Sequence, residues 1–173
     1  HQLEGKVVAL EFGDGDSDAY RYYSQQFINL DELNHIILTF SSGNVKIYLN
    51  GEVVLEQVIP ISSLNINSDS KATLSARNVA PDGYHNHIKG SYSYFSIYDK
   101  ALNDDDINNI LQDNYENLSD NFITLYNFND GEGTTLYDHS GNGNHGTING
   151  ATWYMEGCTD PLADNYNPGA TED

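Results

Sequence analysis

Basic residues are scarce in this chain of 173 residues: seven lysines and arginines stand against 26 acidic residues, for a formal net charge of −19. Such a balance repels phosphate backbones and argues against nucleic acid as a partner. Long apolar runs are also missing. No run approaches the roughly 20 residues that a bilayer-spanning helix requires, and no basic-then-apolar leader opens the chain, so membrane insertion is not expected. Cysteine is represented by Cys158 alone, which excludes an intrachain disulfide framework and points to a thiol whose partner is missing. The first residue is His1 and not Met. The expectation is a processed or excised piece of a longer protein.

What is present is tyrosine, β-branched residues and closely spaced turn residues. That composition predicts an all-β sandwich with one short helix. Val45, Ile47 and Leu49 alternate with Lys46 and Tyr48, the chain turns at Asn50-Gly51, and it leaves through Val53 and Leu55. This is the signature of a hairpin closed by a two-residue turn. HIILTF (His35 to Phe40) and KATLSA (Lys71 to Ala76) read as further strands. SYSYFSIYD (Ser91 to Asp99) alternates so that Phe95 and Ile97 should point inward and Tyr94 and Tyr98 outward. In ALNDDDINNILQ, Asn103 is placed to cap a helix whose first turn carries Asp104 to Asp106 and whose apolar stripe is Ile107, Ile110 and Leu111.

The order NHIILTFSSGNVKIYLNGE, LSARN and IKGSYSYFSIYDKALNDDDI resembles the second half of a laminin-G-like domain of the concanavalin A-like lectin and glucanase fold, over roughly residues 30 to 112. The later stretch FITLYNFNDGEGTTLYDHSGNGNHGTINGATW (Phe122 to Trp153) resembles the segment with which such domains begin. Its position after the other half leaves two readings, a cut from a tandem array or a late segment folding back in permuted order. Fold-back is favoured, since it avoids an open edge and a bare apolar face. The resemblance implies an antiparallel jelly-roll sandwich with three parts: the second half of the sandwich at 1–116, the completing strand and Gly/Asn loop at 117–156, and a small irregular tail at 157–173. The tail, CTDPLADNYNPGATED, is similar to Cys-Thr-Asp-Pro repeats appended to secreted proteins, and it stops before their second Cys.

Several residues are candidates for chemistry. The Gly/Asn loop offers Asp138, Ser140, Asn142 and Asn144 as oxygen donors, and calcium takes about six to eight oxygens, which loops can supply. Laminin-G-like domains often bind calcium, so the resemblance implies a metal site at Asp138, Asn142 and Asn144. The family's usual Asp after the Gly-x-x of the last strand is Ser93 in this chain. The alternative is a turn cluster held by its own side-chain hydrogen bonds. In FGDGDSDAYRYY, Asp14, Asp16 and Asp18 mimic the start of an EF-hand, but Ala19 and Gln25 occupy the positions that need Gly and Glu. A hairpin loop explains this segment better. His85 and His87 lack identifiable zinc co-ligands, and His35 marks a strand start.

Catalysis is not expected. A retaining glycosidase needs two carboxyls about 5–5.5 Å apart. Glu52 and Glu56 on one strand would stand about 13 Å apart at ~3.3 Å per residue. No Gly-x-Ser-x-Gly occurs. Tyrosines in or beside loops suit sugar stacking, and Tyr20, Tyr22 and Tyr84 are the ligand-binding candidates. High β-propensity alone would also place tyrosines on strands. The expected role is a non-catalytic adhesion module, calcium-stabilised, that recognises carbohydrate or a glycoprotein surface. Its expected location is extracellular or on a cell or virion surface. The alternative is a structural repeat of a filament, fibre or stalk that self-associates through strand edges.

Overall fold

The computed structural model describes residues 7–13, 19–29, 32–60, 73–74, 77–79, 83–85, 90–114, 116–154, 158, 160–162, 168 and 170. The described elements are antiparallel strand pairs with one α-helix, an all-β fold. Two compact units are present, His1–Ser68 with Lys100–Asp120, and Asp69–Asp99 with Asn121–Asp173.

In the first unit, β1 (Val7–Gly13) pairs with β2 (Ala19–Phe27), and β3 (Ile36–Ser41), β4 (Asn44–Leu49) and β5 (Glu52–Val58) form a meander. The β1–β2 register shifts between Val7 and Ala9. There the buried Ser24 hydroxyl accepts from Val8 N at 3.0 Å and donates to Gln26 O at 2.8 Å. A side chain thus supplies the bonding that the ladder loses at the bulge.

Hairpin β4–β5 forms as its sequence requires. Asn50 and Gly51 take φ of 51° and 88°, the pair of positive values that a type I′ turn demands and that Asn-Gly adopts at low cost. The hairpin lies under the core. Val45, Ile47, Leu49 and Val54 are buried, and Val8, Ile28 and Leu55 pack against the cluster of Ile47, Leu49 and Val54. Burying each such side chain contributes about 1.5–3 kcal/mol. Tyr48, on the opposite face of β4, is buried too. Both faces of the central strand are therefore covered.

Helix α1 (Asp104–Leu111) starts at the expected cap. Asn103 Oδ1 accepts from Asp106 N at 2.9 Å and Asn103 N donates to Asp106 Oδ2 at 3.0 Å, a reciprocal capping box. Asp106 is buried, and Lys100 Nζ lies 3.1 Å from its Oδ2, so its charge is paired as well as hydrogen-bonded. Ile107 and Ile110 are buried. A 3-10 segment, Glu116–Asn121, follows.

The second unit contains three two-stranded pairs: β6 (Arg77–Val79) with β7 (Gly83–His85), β8 (Phe95–Tyr98) with β9 (Phe122–Tyr126), and β10 (Thr135–Leu136) with β11 (Gly146–Thr147). The late strand β9 thus pairs with β8, Phe95 opposite Tyr126 and Ser96 opposite Leu125. Aromatic contacts reinforce the pair: Phe95–Tyr126 at 5.9 Å and Tyr98–Phe122 at 4.8 Å between ring centroids.

Two expectations require correction. Of the strand expected at Lys71 to Ala76 only Thr73 and Leu74 are described, and neither is in a strand; the nearest one, β6, begins at Arg77. Ile97 is 37% exposed, whereas the Tyr98 hydroxyl is buried without a hydrogen-bond partner among the described residues. The register shifts between Ile97 and Tyr98 because β9 carries one extra residue there, Ile123. Strands β8 and β9 form a sheet only two strands wide among the described residues, so alternation along β8 does not by itself ensure that its second apolar position is covered.

Candidate functional site

The loop between β10 and β11 holds a dense polar network centred on Asp138. Asp138 is buried. Its Oδ1 accepts from Leu125 N at 2.9 Å and Ser140 N at 3.0 Å, and its Oδ2 accepts from the Ser140 hydroxyl at 2.8 Å and Asn144 N at 2.9 Å. Burial by itself would raise the carboxyl's pKa, but the hydrogen bonds from Ser140, Leu125 and Asn144 outweigh it and hold the group well below the usual carboxylate range. Gly141 and Gly143, at φ of 89° and 74°, let the backbone curl around the carboxylate.

The same loop sheathes one edge of β9 while β8 pairs with the strand. His139 N donates to Leu125 O at 2.8 Å. Asn142 Nδ2 donates to Phe122 O at 2.7 Å and Ile123 O at 3.1 Å, and Asn144 Nδ2 donates to Ile123 O at 2.8 Å. Tyr126 returns a bond from its hydroxyl to Asn144 O at 2.6 Å. Side-chain amides thereby replace the main-chain amides of a missing neighbour strand. His145 Nδ1 accepts from Asp138 N at 3.0 Å, and Trp153 Nε1 donates to Gly133 O at 3.1 Å. Neither His145 nor Trp153 stood out as functional in the sequence, although their flanking positions around the glycines were a signal.

The structure therefore brings Asp138, Asn142 and Asn144 together, but in a configuration that does not fit a calcium ion. A carboxylate has about four lone-pair sites, and Asp138 uses four in hydrogen bonds. The two asparagines turn their Nδ2 groups to β9. Among the described residues no group of three or more His, Cys, Asp and Glu side chains could hold a metal.

The ligand-binding candidates are distributed. Tyr20 and Tyr22 lie on β2 opposite Phe12 and Leu10, and Tyr22 is half-buried. Tyr84 is the middle residue of β7, opposite Asn78, and belongs to the other unit. The acidic loop at 14–18 and His87 lie outside the described residues. Cys158 is half-buried with a free thiol. Glu56 pairs with Lys46 at 3.2 Å, and Glu52 accepts from Gln26 at 3.3 Å, so the nearest carboxylate pair is engaged with two different neighbours.

Sequence reading missed a depression of about 250 Å³ in the first unit, lined by Gln26, Asn29, Asn34, Leu49, Asn50 and Glu52. Its residues come from the end of β2, the following loop and the β4–β5 turn. Of its lining, the sequence had marked Asn50 as part of the turn signal, Leu49 as a core position and Glu52 only as half of a carboxylate pair, none of them as part of a site.

No curated protein and no solved structure matches the chain. A family model does: the laminin-G model of the concanavalin A-like lectin/glucanases superfamily covers residues 3–108. The match extends over β1 and β2, beyond the segment from residue 30 that carried the resemblance, and stops before Phe122 to Trp153. With more than half its length matched and an antiparallel all-β fold, the chain belongs to the concanavalin A-like lectin/glucanases superfamily.

Proposed function

We propose that the protein is a non-catalytic adhesion module that binds carbohydrate or a glycoprotein surface, acting outside the cell or on a cell or virion surface. The observation that carries this reading is the family match over residues 3–108. Domains of this kind are generally non-catalytic and lectin-like. Glu52 and Glu56, the pair weighed for glycoside hydrolysis, are each engaged with a different neighbour. The net charge of −19 agrees with a surface that repels nucleic acid and stays dispersed. Tyr20, Tyr22 and Tyr84 are the stacking candidates. The pairing of β9 with β8 supports a late segment that contributes a strand to the fold, and the tail from residue 157 is read as a terminal repeat.

Calcium is the least supported component, because Asp138, Asn142 and Asn144 would have to give up the hydrogen bonds described above to coordinate it. A glycan array probed with and without calcium tests the whole reading. Binding to a defined glycan supports it, and uniform lack of binding rejects it.

A second reading is favoured by one feature. Ile36 and Leu38 on β3 are 50% and 48% exposed, and among the described residues β3 is an edge of its three-stranded sheet. An exposed apolar edge suits strand-to-strand association in a filament or stalk. Analytical ultracentrifugation of the wild type and of Leu38→Lys separates the readings. Regular polymers abolished by the lysine favour the structural role, and a monomer favours the lectin.

A further inference from the structure

We propose that the depression in the first unit is a subsite for one uncharged pyranose ring of a glycan, an assignment that rests on the carbohydrate-binding reading above. Its walls are already organised by internal bonds that, among the described residues, leave a mixed set of polar atoms over. Asn50 N donates to His35 O at 2.8 Å, and Asn50 Oδ1 accepts from His35 N at 2.8 Å. These bonds fix the side chain and leave its Nδ2 as a donor. Asn34 Nδ2 donates to Asn29 O and, at 2.8 Å, to Glu32 O, which leaves Asn34 Oδ1 as an acceptor. Gln26 Nε2 donates to Glu52 Oε2 at 3.3 Å, leaving Gln26 Oε1 and Glu52 Oε1 as acceptors. Leu49, otherwise buried in the core cluster, reaches the depression as a small apolar floor.

The combination selects a class of ligand. Sugar hydroxyls both donate and accept, which amides and a carboxylate answer, and a pyranose also presents an apolar C–H face, for which the depression has the small floor at Leu49. The cavity, at about 250 Å³, lies just below the roughly 300–1,000 Å³ of sites for drug-sized ligands, which suits one ring and not a longer segment. Charge narrows the class further. The lining has no Lys, Arg or His, Glu52 is acidic, and the chain carries −19. Sulfate and carboxylate groups would be repelled with no cation to pair them. Neutral glycans are therefore accepted, and sialylated, uronic or sulfated ones refused. Asn34 and Asn50 are preset by bonds to the backbone, so little ordering of these two is left for binding to accomplish, whereas the exposed Gln26 and Glu52 are held only by each other.

The test uses the full chain on an array holding neutral, sialylated and sulfated glycans, followed by calorimetric titration of the best neutral ligand into wild type, Gln26→Ala/Glu52→Ala and Tyr22→Ala. Gln26 and Glu52 are exposed, and a thermal melt confirms that the double variant remains folded. The expected result is binding to neutral glycans alone, with at least about a tenfold loss in the double variant, or about 1.4 kcal/mol. Wild-type binding that is unchanged in the double variant overturns this subsite and leaves the carbohydrate reading standing. If Tyr22→Ala alone abolishes it, the site lies on β2. Preference for acidic glycans overturns the proposed selectivity. Absence of any glycan binding overturns the carbohydrate reading itself.

Discussion

The β4–β5 hairpin and the loop from Asp138 to Asn144 are both turn-rich and both ordered, but opposite forces hold them. The hairpin is fixed by apolar burial: Val45, Ile47, Leu49 and Val54 are each at most 5% exposed. The loop buries little that is apolar. It is fixed by one carboxylate that accepts four hydrogen bonds and by two amides that bond to β9. The difference teaches what each region tolerates. A packed core resists polar or smaller side chains and is indifferent to hydrogen-bonding detail, whereas a polar hub keeps its shape only while each partner remains.

The comparison can be broken by substitution, most sharply in the core. Ile47→Ala should cost about 2–5 kcal/mol of stability, read by urea denaturation, because it empties the centre of the cluster. Asp138→Ala should cost about 2–4 kcal/mol, since charge-assisted bonds are lost and buried donors stay unpaired. Amide hydrogen exchange should show the loss first at Leu125, Ser140 and Asn144. A cost below that of a surface substitution would mean that the network is dispensable.

Smaller effects separate strain from packing. Gly51→Ala and Gly141→Ala both place a Cβ at positive φ, 88° and 89°, which costs roughly 1–2 kcal/mol. At Gly51 the new Cβ also meets Leu111 Cδ1 at 2.7 Å, whereas at Gly141 nothing lies within 4 Å. The difference between the two variants, measured by thermal melting, therefore reports the contact of the turn with the helix. Leu111 offers only the flexible end of its side chain, so that difference should be the smaller part.

Acid provides the mildest perturbation. Asp138 has a lowered pKa, so its contribution to stability is fully present above the unfolded-state value of about 3.9 and is lost as pH falls toward the folded-state value. Stability of the wild type should decline with acid below that point, and Asp138→Asn should decline less steeply. Parallel curves would show that other carboxylates dominate the acid response.

The fold was legible where a local rule decides the geometry. Asn50-Gly51 specifies its own turn, Asn103 its own cap, and the alternation of Val45, Ile47 and Leu49 its buried face, because each signal lies within a few residues. What remained hidden depends on distant neighbours. Ile97 is exposed although alternation along β8 sets it beside Phe95, and no pattern within β8 announces it. The Gly/Asn loop was recognisable as shaped, yet the same oxygens could serve a metal or the backbone; the choice rests on Leu125 N, thirteen residues before Asp138. The depression was invisible for the same reason. Gln26 and Glu52 meet across 26 residues of chain; the sequence marks Gln26 in no way and Glu52 only as half of a carboxylate pair spaced too widely for catalysis.

The most direct test of the account is calorimetric titration of a neutral glycan into the full chain after removal of divalent cations with a chelator. Saturable binding that calcium does not strengthen is the predicted result, since the depression and the Asp138 loop are built from protein hydrogen bonds alone. Binding that appears only when calcium is restored would contradict the account.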